Sequence, residues 1–361
     1  IVIKGCKIES VVPIEKVPPG IEIRDLNGLS VSPGFIDIQV NGGGGILFND
    51  EPSVESIKII KEAHQKFGTT DIMPTFITGS IDKMGLAIKA VESSIASGMT
   101  GLLGLHIEGP IINSKKAGVH DKAYIVESNM FNYDLVKPIK NGKTIFTLAP
   151  EMVKIEIIEE LARRDVIIAA GHTNSTYVQA TKGFEKGISL VTHLFNAMSP
   201  FDSREPGMVG AALDNDEVWC SVIVDGYHVD FTSIRVAWKA KQLGKMILIT
   251  DSMPPVGAAS NNFKLGEYAI EVENGRCVTK DGTLAGSALD MATAVRNCIQ
   301  KVGIAKDEAL RMASTYTAQL LGVDDKNGYI SEGYNANITI FNNQIYVDAV
   351  VVNGEYIKVG G

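Results

Sequence analysis

LLGLHIEGP (102–110), VIIAAGHTN (166–174), SLVTHLFNAM (189–198) and KMILITDSM (245–253) share one design. Each is a short apolar run ending on a polar residue: Glu108, His172, His193 and Asp251. Glu108, His172 and His193 are metal-ligand types, and Asp251 is a further carboxylate. An apolar run of about 4–6 residues that stops at a polar group is how a parallel barrel, buried on both sheet faces, presents a catalytic residue. Four such runs predict one shared site built from distant parts of the chain.

Working outward, the same pattern predicts eight strands: 35–41, 70–76, 102–108, 144–150, 166–171, 188–193, 219–225 and 246–251. Helical periodicity separates most of them, at 53–67, 82–96, 153–164, 175–186 and 230–242. In 53–67, Val54, Ile57, Ile60 and Ala63 fall on one stripe behind a capping serine, Ser53. Strand–helix alternation of this kind predicts an α/β fold of the (β/α)8 TIM-like type. A doubly wound open sheet is the alternative, and it is weaker because no GxGxxG follows the first strand.

The two ends read differently. Residues 1–31 and 326–361 alternate apolar and polar in short bursts broken by Pro13, Pro18 and Pro19. Neither end can form a stable sheet alone, so they are expected to pair as a small β-sandwich domain beside a barrel spanning 32–325. After the eighth strand, 263–285 reads as a β-hairpin excursion with turns at Asn274-Gly275 and Asp281-Gly282. Helices at about 288–302 and 307–321 are expected to close the barrel.

Composition bounds the function. The 361 residues are 45% hydrophobic and 21% charged, with a net charge of −8 and interspersed signs. That argues against a nucleic-acid or anionic-membrane partner, while a local pocket can still take a small anion. No apolar stretch approaches the roughly 18–20 residues of a membrane span, and no signal-peptide apolar region opens the chain. The four cysteines, Cys6, Cys220, Cys277 and Cys298, form no CxxC pair, so a reduced, cytoplasmic setting is expected.

Barrel chemistry lies at the C-terminal strand ends. Those positions read Gln39 and Asn41, Thr75, His106 and Glu108, Glu151, His172, His193, Asp225 and Asp251. One carboxylate and two imidazoles, from Glu108, His172 and His193, suit one catalytic divalent ion with room for water. Such an ion can lower a water pKa from about 15.7 to about 7. At about 1.36 kcal/mol per unit that is roughly 12 kcal/mol, more than a side-chain base supplies. Asp251 can then carry protons as base and acid; the competing reading is a cap for the turn DSMPPVG. Beyond the sixth and seventh strands, Asn196-Ala197, Arg204 in SREPG and His228 in DGYHVD suit a phosphate. Arg204 could instead pair with Glu205 or Asp202. His120 could donate to a carbonyl oxygen. The run Gly42–Gly45 either admits a ligand to the backbone or makes a tight turn; no GKS or GKT follows it.

PGFIDIQVNG (33–42), LHIEGP (105–110), GVH (118–120), GHTNSTY (171–177), THLFNAM (192–198), REPG (204–207), DGYHVD (225–230), TDSMPP (250–255) and LAGSALDM (284–291) occur in that order. In this the chain resembles the N-acetylglucosamine-6-phosphate deacetylases of the amidohydrolase superfamily, over nearly its whole length. The resemblance implies hydrolysis of the acetamide of a phosphorylated amino sugar. It implies that Glu108, His172 and His193 bind the metal, that Asp251 is general base then acid, and that His120 polarises the acetyl carbonyl. It further implies that Val119, Asn196, Ala197, Arg204, Asp225, His228, Leu284, Ala285 and Gly286 bind the substrate. A homodimer is implied, with a neighbouring subunit near the phosphate site, so that Arg204 or His228 could act across the interface. Where many relatives carry HxH on the first strand, this chain has Gln39-Val40-Asn41. Neutral amides replace imidazole poorly on a transition metal, so one ion per site is expected: zinc first, with iron, cobalt or manganese as alternatives. Two other readings stay open: an amidohydrolase for a different amino-sugar phosphate or a cyclic amide, and a non-catalytic barrel scaffold.

Overall fold

The computed structural model describes residues 1–260, 262–265, 268–273, 275–279 and 282–359. Eight strands form one parallel sheet in sequential order: β1 Phe35–Val40, β2 Thr69–Ile77, β3 Gly104–Glu108, β4 Lys143–Leu148, β5 Ile167–Ala170, β6 Ile188–Val191, β7 Trp219–Ile223 and β8 Met246–Ile249. A Val40–Ser252 bridge and the Asp251 N–H to Gln39 O bond bring the last strand back to the first. The sheet is therefore a barrel; the open doubly wound alternative is excluded by this order. All of the predicted strands are present, because each is a run of residues buried on both faces.

Helices α1 Val54–Gln65, α2 Ile81–Ala96, α3 Ile155–Arg163, α4 Tyr177–Glu185, α5 Gly207–Asp214 and α6 Phe231–Ala240 surround it. Ser53 caps α1 by accepting from Ser56 N–H, and Ile57, Ile60 and Ala63 are buried on its inner stripe. Between β3 and β4 only 3-10 turns occur, within Ser114–Leu135. The expected helix at 288–302 is α7 Met291–Asn297 continued by a π-turn, Cys298–Val302. The helix expected at 307–321 is two, α8 Lys306–Met312 and α9 Thr315–Leu321. They part where Ala313 O accepts from Ile36 N–H at the base of β1, a bond that no local pattern announces.

The chain ends meet in one antiparallel sheet of Ser30–Pro33, Ile338–Phe341, Val347–Val352 and Glu355–Lys358. The hairpin Val2–Lys4/Lys7–Ser10 joins it through Ile8 N–H to Tyr334 O and Ala336 N–H to Cys6 O. Ile8, Ile338, Ile340, Ala349 and Val351 form its apolar core. The excursion after β8 is a four-stranded sheet, Asn262–Leu265, Tyr268–Glu273, Arg276–Thr279 and Leu284–Ser287. Of its expected turns, Asn274 and Asp281 lie outside the described residues, whereas Gly275 and Gly282 hold φ of +83° and +85°. No helix of the described residues is long and apolar enough to cross a membrane.

Candidate metal centre and substrate cavity

The four runs deliver their polar ends to one mouth. Glu108 ends β3, and His172, His193 and Asp251 each follow a strand by two residues. All three of those take left-handed backbone, with φ of +47°, +37° and +51°. Non-glycine residues seldom adopt this conformation, and it persists where the surrounding structure overrules the local cost. Ala197 does the same at +49°.

Glu108 Oε1 lies 3.0 Å from His193 Nε2 and 3.3 Å from His172 Nε2, and the two Nε2 atoms are 3.2 Å apart. These edges match the roughly 3.3 Å spacing of ligand atoms around a tetrahedral ion with bonds of about 2.0–2.1 Å. His172 Nδ1 sits 2.9 Å from Lys116 O, so it carries the proton and leaves the Nε2 lone pair facing the cluster. The cluster is buried and its donor set fits a divalent metal ion. Burial opposes ionisation of Glu108, yet hydrogen bonds and charge from His172 and His193 outweigh it and hold that carboxyl well below its usual range.

Asp251 faces the cluster. Asn41 Nδ2 donates to its Oδ1 at 2.7 Å and Gln39 Nε2 at 3.2 Å; the same Gln39 amide donates to Glu108 Oε1 at 3.1 Å. Burial, then the Glu108 charge, pushes the Asp251 pKa up, a direction that suits proton transfer near neutral pH. His120 Nδ1 meets Thr78 Oγ1 at 2.8 Å, and its ring lies 4.2 Å from that of His172. Burial, then the neighbouring His172, keeps this imidazole neutral by lowering its pKa well below the usual value.

A cavity of about 510 Å3 opens above these groups. Of the expected residues, Asn41, Glu108, Val119, His120, His172, His193, Asn196, Ala197, His228, Asp251, Leu284 and Gly286 line it. Three expected substrate residues do not. Arg204 is exposed, lies outside the lining, and makes no ion pair among the described residues, so the pairing with Glu205 or Asp202 is also not seen. Asp202 Oδ1 instead accepts from the Arg204 backbone, and Glu205 Oε1 from Tyr177 and Gly207 N–H. Asp225 stands behind His228, accepting its Nδ1 at 2.6 Å and the N–H groups of Tyr227 and His228. Ala285 turns into the apolar cluster around Met253 and Cys277. The Gly42–Gly45 run is a tight turn: a Cβ on Gly42 would meet Ile46 O at 2.4 Å, and none of the four lines the cavity.

Sequence reasoning missed Lys115 and Lys116, both of which line the cavity. The adjacent pair upstream of His120 was the available signal. It also gave no role to Glu151, although its strand-end position was legible.

A Glu–His–His cluster beside a held carboxylate, at the C-terminal mouth of a (β/α)8 barrel, defines a metal-dependent hydrolase site. The chain belongs to the amidohydrolase family, whose profile matches residues 30–357. It is 37% identical to N-acetylglucosamine-6-phosphate deacetylase of Haemophilus influenzae, over 99% of this chain and 94% of that one. It is 36% identical to N-acetylgalactosamine-6-phosphate deacetylase of a Shewanella species, over 98% and 89%. The crystal structure of N-acetylglucosamine-6-phosphate deacetylase from Pasteurella multocida superposes with a TM-score of 0.93 at 39% identity, covering 99% of this chain and 94% of that one.

Proposed function

We propose that the protein hydrolyses the acetamide of N-acetyl-D-glucosamine 6-phosphate to D-glucosamine 6-phosphate and acetate. The observation that carries this is the seating of Asp251 beside the Glu108–His172–His193 triangle, on the floor of the cavity that also holds His228 and Asn196-Ala197. Those three residues would hold one divalent ion, zinc best and iron, cobalt or manganese next, which when bound acidifies water and polarises a carbonyl. Gln39 and Asn41 are committed to Asp251 and Glu108, which argues for one ion and not two.

Asp251 Oδ1 is held by two amides, so Oδ2 is the oxygen free to take the proton of the attacking water and hand it to the departing amine. Asn41 Oδ1 has no partner among the described residues and can accept from water or a substrate N–H. His120 Nδ1 is held 2.8 Å from Thr78 Oγ1, a hydroxyl that also donates to Glu108 O at 3.3 Å; in the tautomer with its proton on Nε2, the ring would donate to the acetyl oxygen as charge develops there. Asp225 orients His228 toward the phosphate, beside the polar groups of Asn196-Ala197. Val119, Leu284 and Gly286 would bound the sugar.

Arg204 would reach a phosphate from a partner subunit. Phe201 and Val236, 68% and 61% accessible, line one surface cleft and offer an apolar face suited to a homodimer. The similarity to an N-acetylgalactosamine-6-phosphate deacetylase favours one second reading, the C4 epimer of the same substrate. Acetate release from the two 6-phosphates decides between them. Faster turnover of the gluco sugar is expected; faster turnover of the galacto sugar overturns the assignment, and release from neither removes the deacetylase reading.

A further inference from the structure

We propose that Glu151, which follows β4 and touches neither the cluster nor the cavity, is a positioning residue that sets the affinity of His172 for the metal ion. The inference rests on the metal-site reading above. The half-buried Glu151 carboxylate gathers four donors from two loops. Oε1 accepts from Asn113 Nδ2 at 2.9 Å and from Asn174 N–H at 2.6 Å. Oε2 accepts from Thr173 Oγ1 at 2.5 Å and from Ser175 Oγ at 2.7 Å.

Both loops bear on His172. Thr173, Asn174 and Ser175 directly follow it, at the point where His172 takes left-handed backbone. Asn113 N–H donates to His172 O at 2.8 Å, and Asn113 O accepts from the N–H of Lys116, whose own carbonyl takes His172 Nδ1. Glu151 thus fixes the ligand's backbone from one side and its ring from the other. The network continues to the substrate side, since Thr173 N–H donates to Ala197 O and Ser199 N–H to Thr173 O.

The chemistry of the donors separates reach from charge. The two partners of Oε1 are obligate N–H donors, whereas the two partners of Oε2 are hydroxyls, which can turn and accept. Glutamine therefore satisfies all four contacts with its oxygen at the Oε1 position and its amide nitrogen at the Oε2 position. Aspartate keeps the charge but withdraws the carboxylate by one methylene and cannot span both loops.

The test is Zn2+ affinity of the full-length protein, measured by competition with a chromogenic chelator. Loss of an outer-shell partner of a metal ligand costs about 10–100-fold in affinity, and that loss is expected for Glu151→Ala. Glu151→Asp is expected to lose about tenfold and Glu151→Gln less than about threefold. The order Gln tighter than Asp is the reading that a general loss of stability does not produce. If Glu151→Ala does not fold, the Asp and Gln variants carry the test. Unchanged affinity in Ala and Asp overturns the proposal, as does an equal loss in Gln and Ala, which would make charge the cause. Wild-type protein that binds no Zn2+ defeats the metal-site reading itself, and the role of Glu151 falls with it.

Discussion

Asn41 donates its side-chain amide to Asp251 Oδ1 across 2.7 Å, joining the end of the first barrel strand to the end of the last. The barrel closes here, and the same closure seats the Asp251 carboxylate in the cavity that Glu108, His172 and His193 also line. Asn41→Leu removes the donor. Turnover is expected to fall about 100-fold, the scale of a misplacement near 1 Å, with KM nearly unchanged. A raised KM at unaltered kcat would assign Asn41 to substrate binding instead.

Asp251→Asn leaves the shape and removes the carboxylate proposed to take the proton. A general base contributes about 10²–10⁴ in rate, and a loss on that scale is expected with substrate affinity held within a few-fold. Steady-state kinetics with the phosphorylated sugar measure this; substantial activity in the variant excludes Asp251 as the proton carrier.

Phosphate recognition is tested by paired substrates. Arg204→Ala and His228→Asn should each cost about 10–100-fold in kcat/KM on the 6-phosphate, from a lost charged hydrogen bond of about 1.5–3 kcal/mol. The non-phosphorylated sugar should be nearly unaffected. Lys116→Met should act in the same direction, since Lys116 lines the cavity within one chain, whereas Arg204 does not. Equal effects on both substrates would remove these residues from phosphate binding.

Metal removal should abolish turnover and lower the unfolding temperature, because an ion that binds only the folded chain stabilises it by RT ln(1 + [L]/Kd). Elemental analysis of reconstituted protein should give one tightly held ion per chain. Two tightly held ions would contradict the assignment of Gln39 and Asn41 as non-ligands.

His64 gives a pH signature away from the chemistry. It is fully buried, with Nε2 2.9 Å from Gly42 O, and burial lowers its pKa from 6.5 to about 4. Between those values the unfolded chain binds a proton that the native protein refuses. Stability from this group is therefore present above about pH 6.5 and lost as pH falls toward 4, on the order of 3 kcal/mol. Urea unfolding of the metal-stripped protein at pH 7, 6 and 5 should show a shallower decline in His64→Asn. Parallel declines would mean that His64 is not buried neutral.

The barrel was legible because its strands lie between two apolar layers. Burial on both faces forces continuous apolar runs such as MILI (246–249), and these carry their own signal. The metal-ligand types were legible for the same reason: a polar residue at the end of such a run has few places to go except the mouth. What the tertiary structure decided depends on contacts between distant residues. Left-handed backbone at His172, His193 and Asp251 has no local sequence mark. Ala313 breaks a helix to serve Ile36, Asp225 lies behind His228, and Arg204 stays outside its own chain's cavity. Gln39 and Asn41 looked like the residue of a missing second metal site, and folding turns their amides into the clamp on Asp251. Residue type and strand order belong to the sequence, since burial acts on each segment separately. Which atom holds which belongs to the closed barrel, since only closure brings position 41 to position 251.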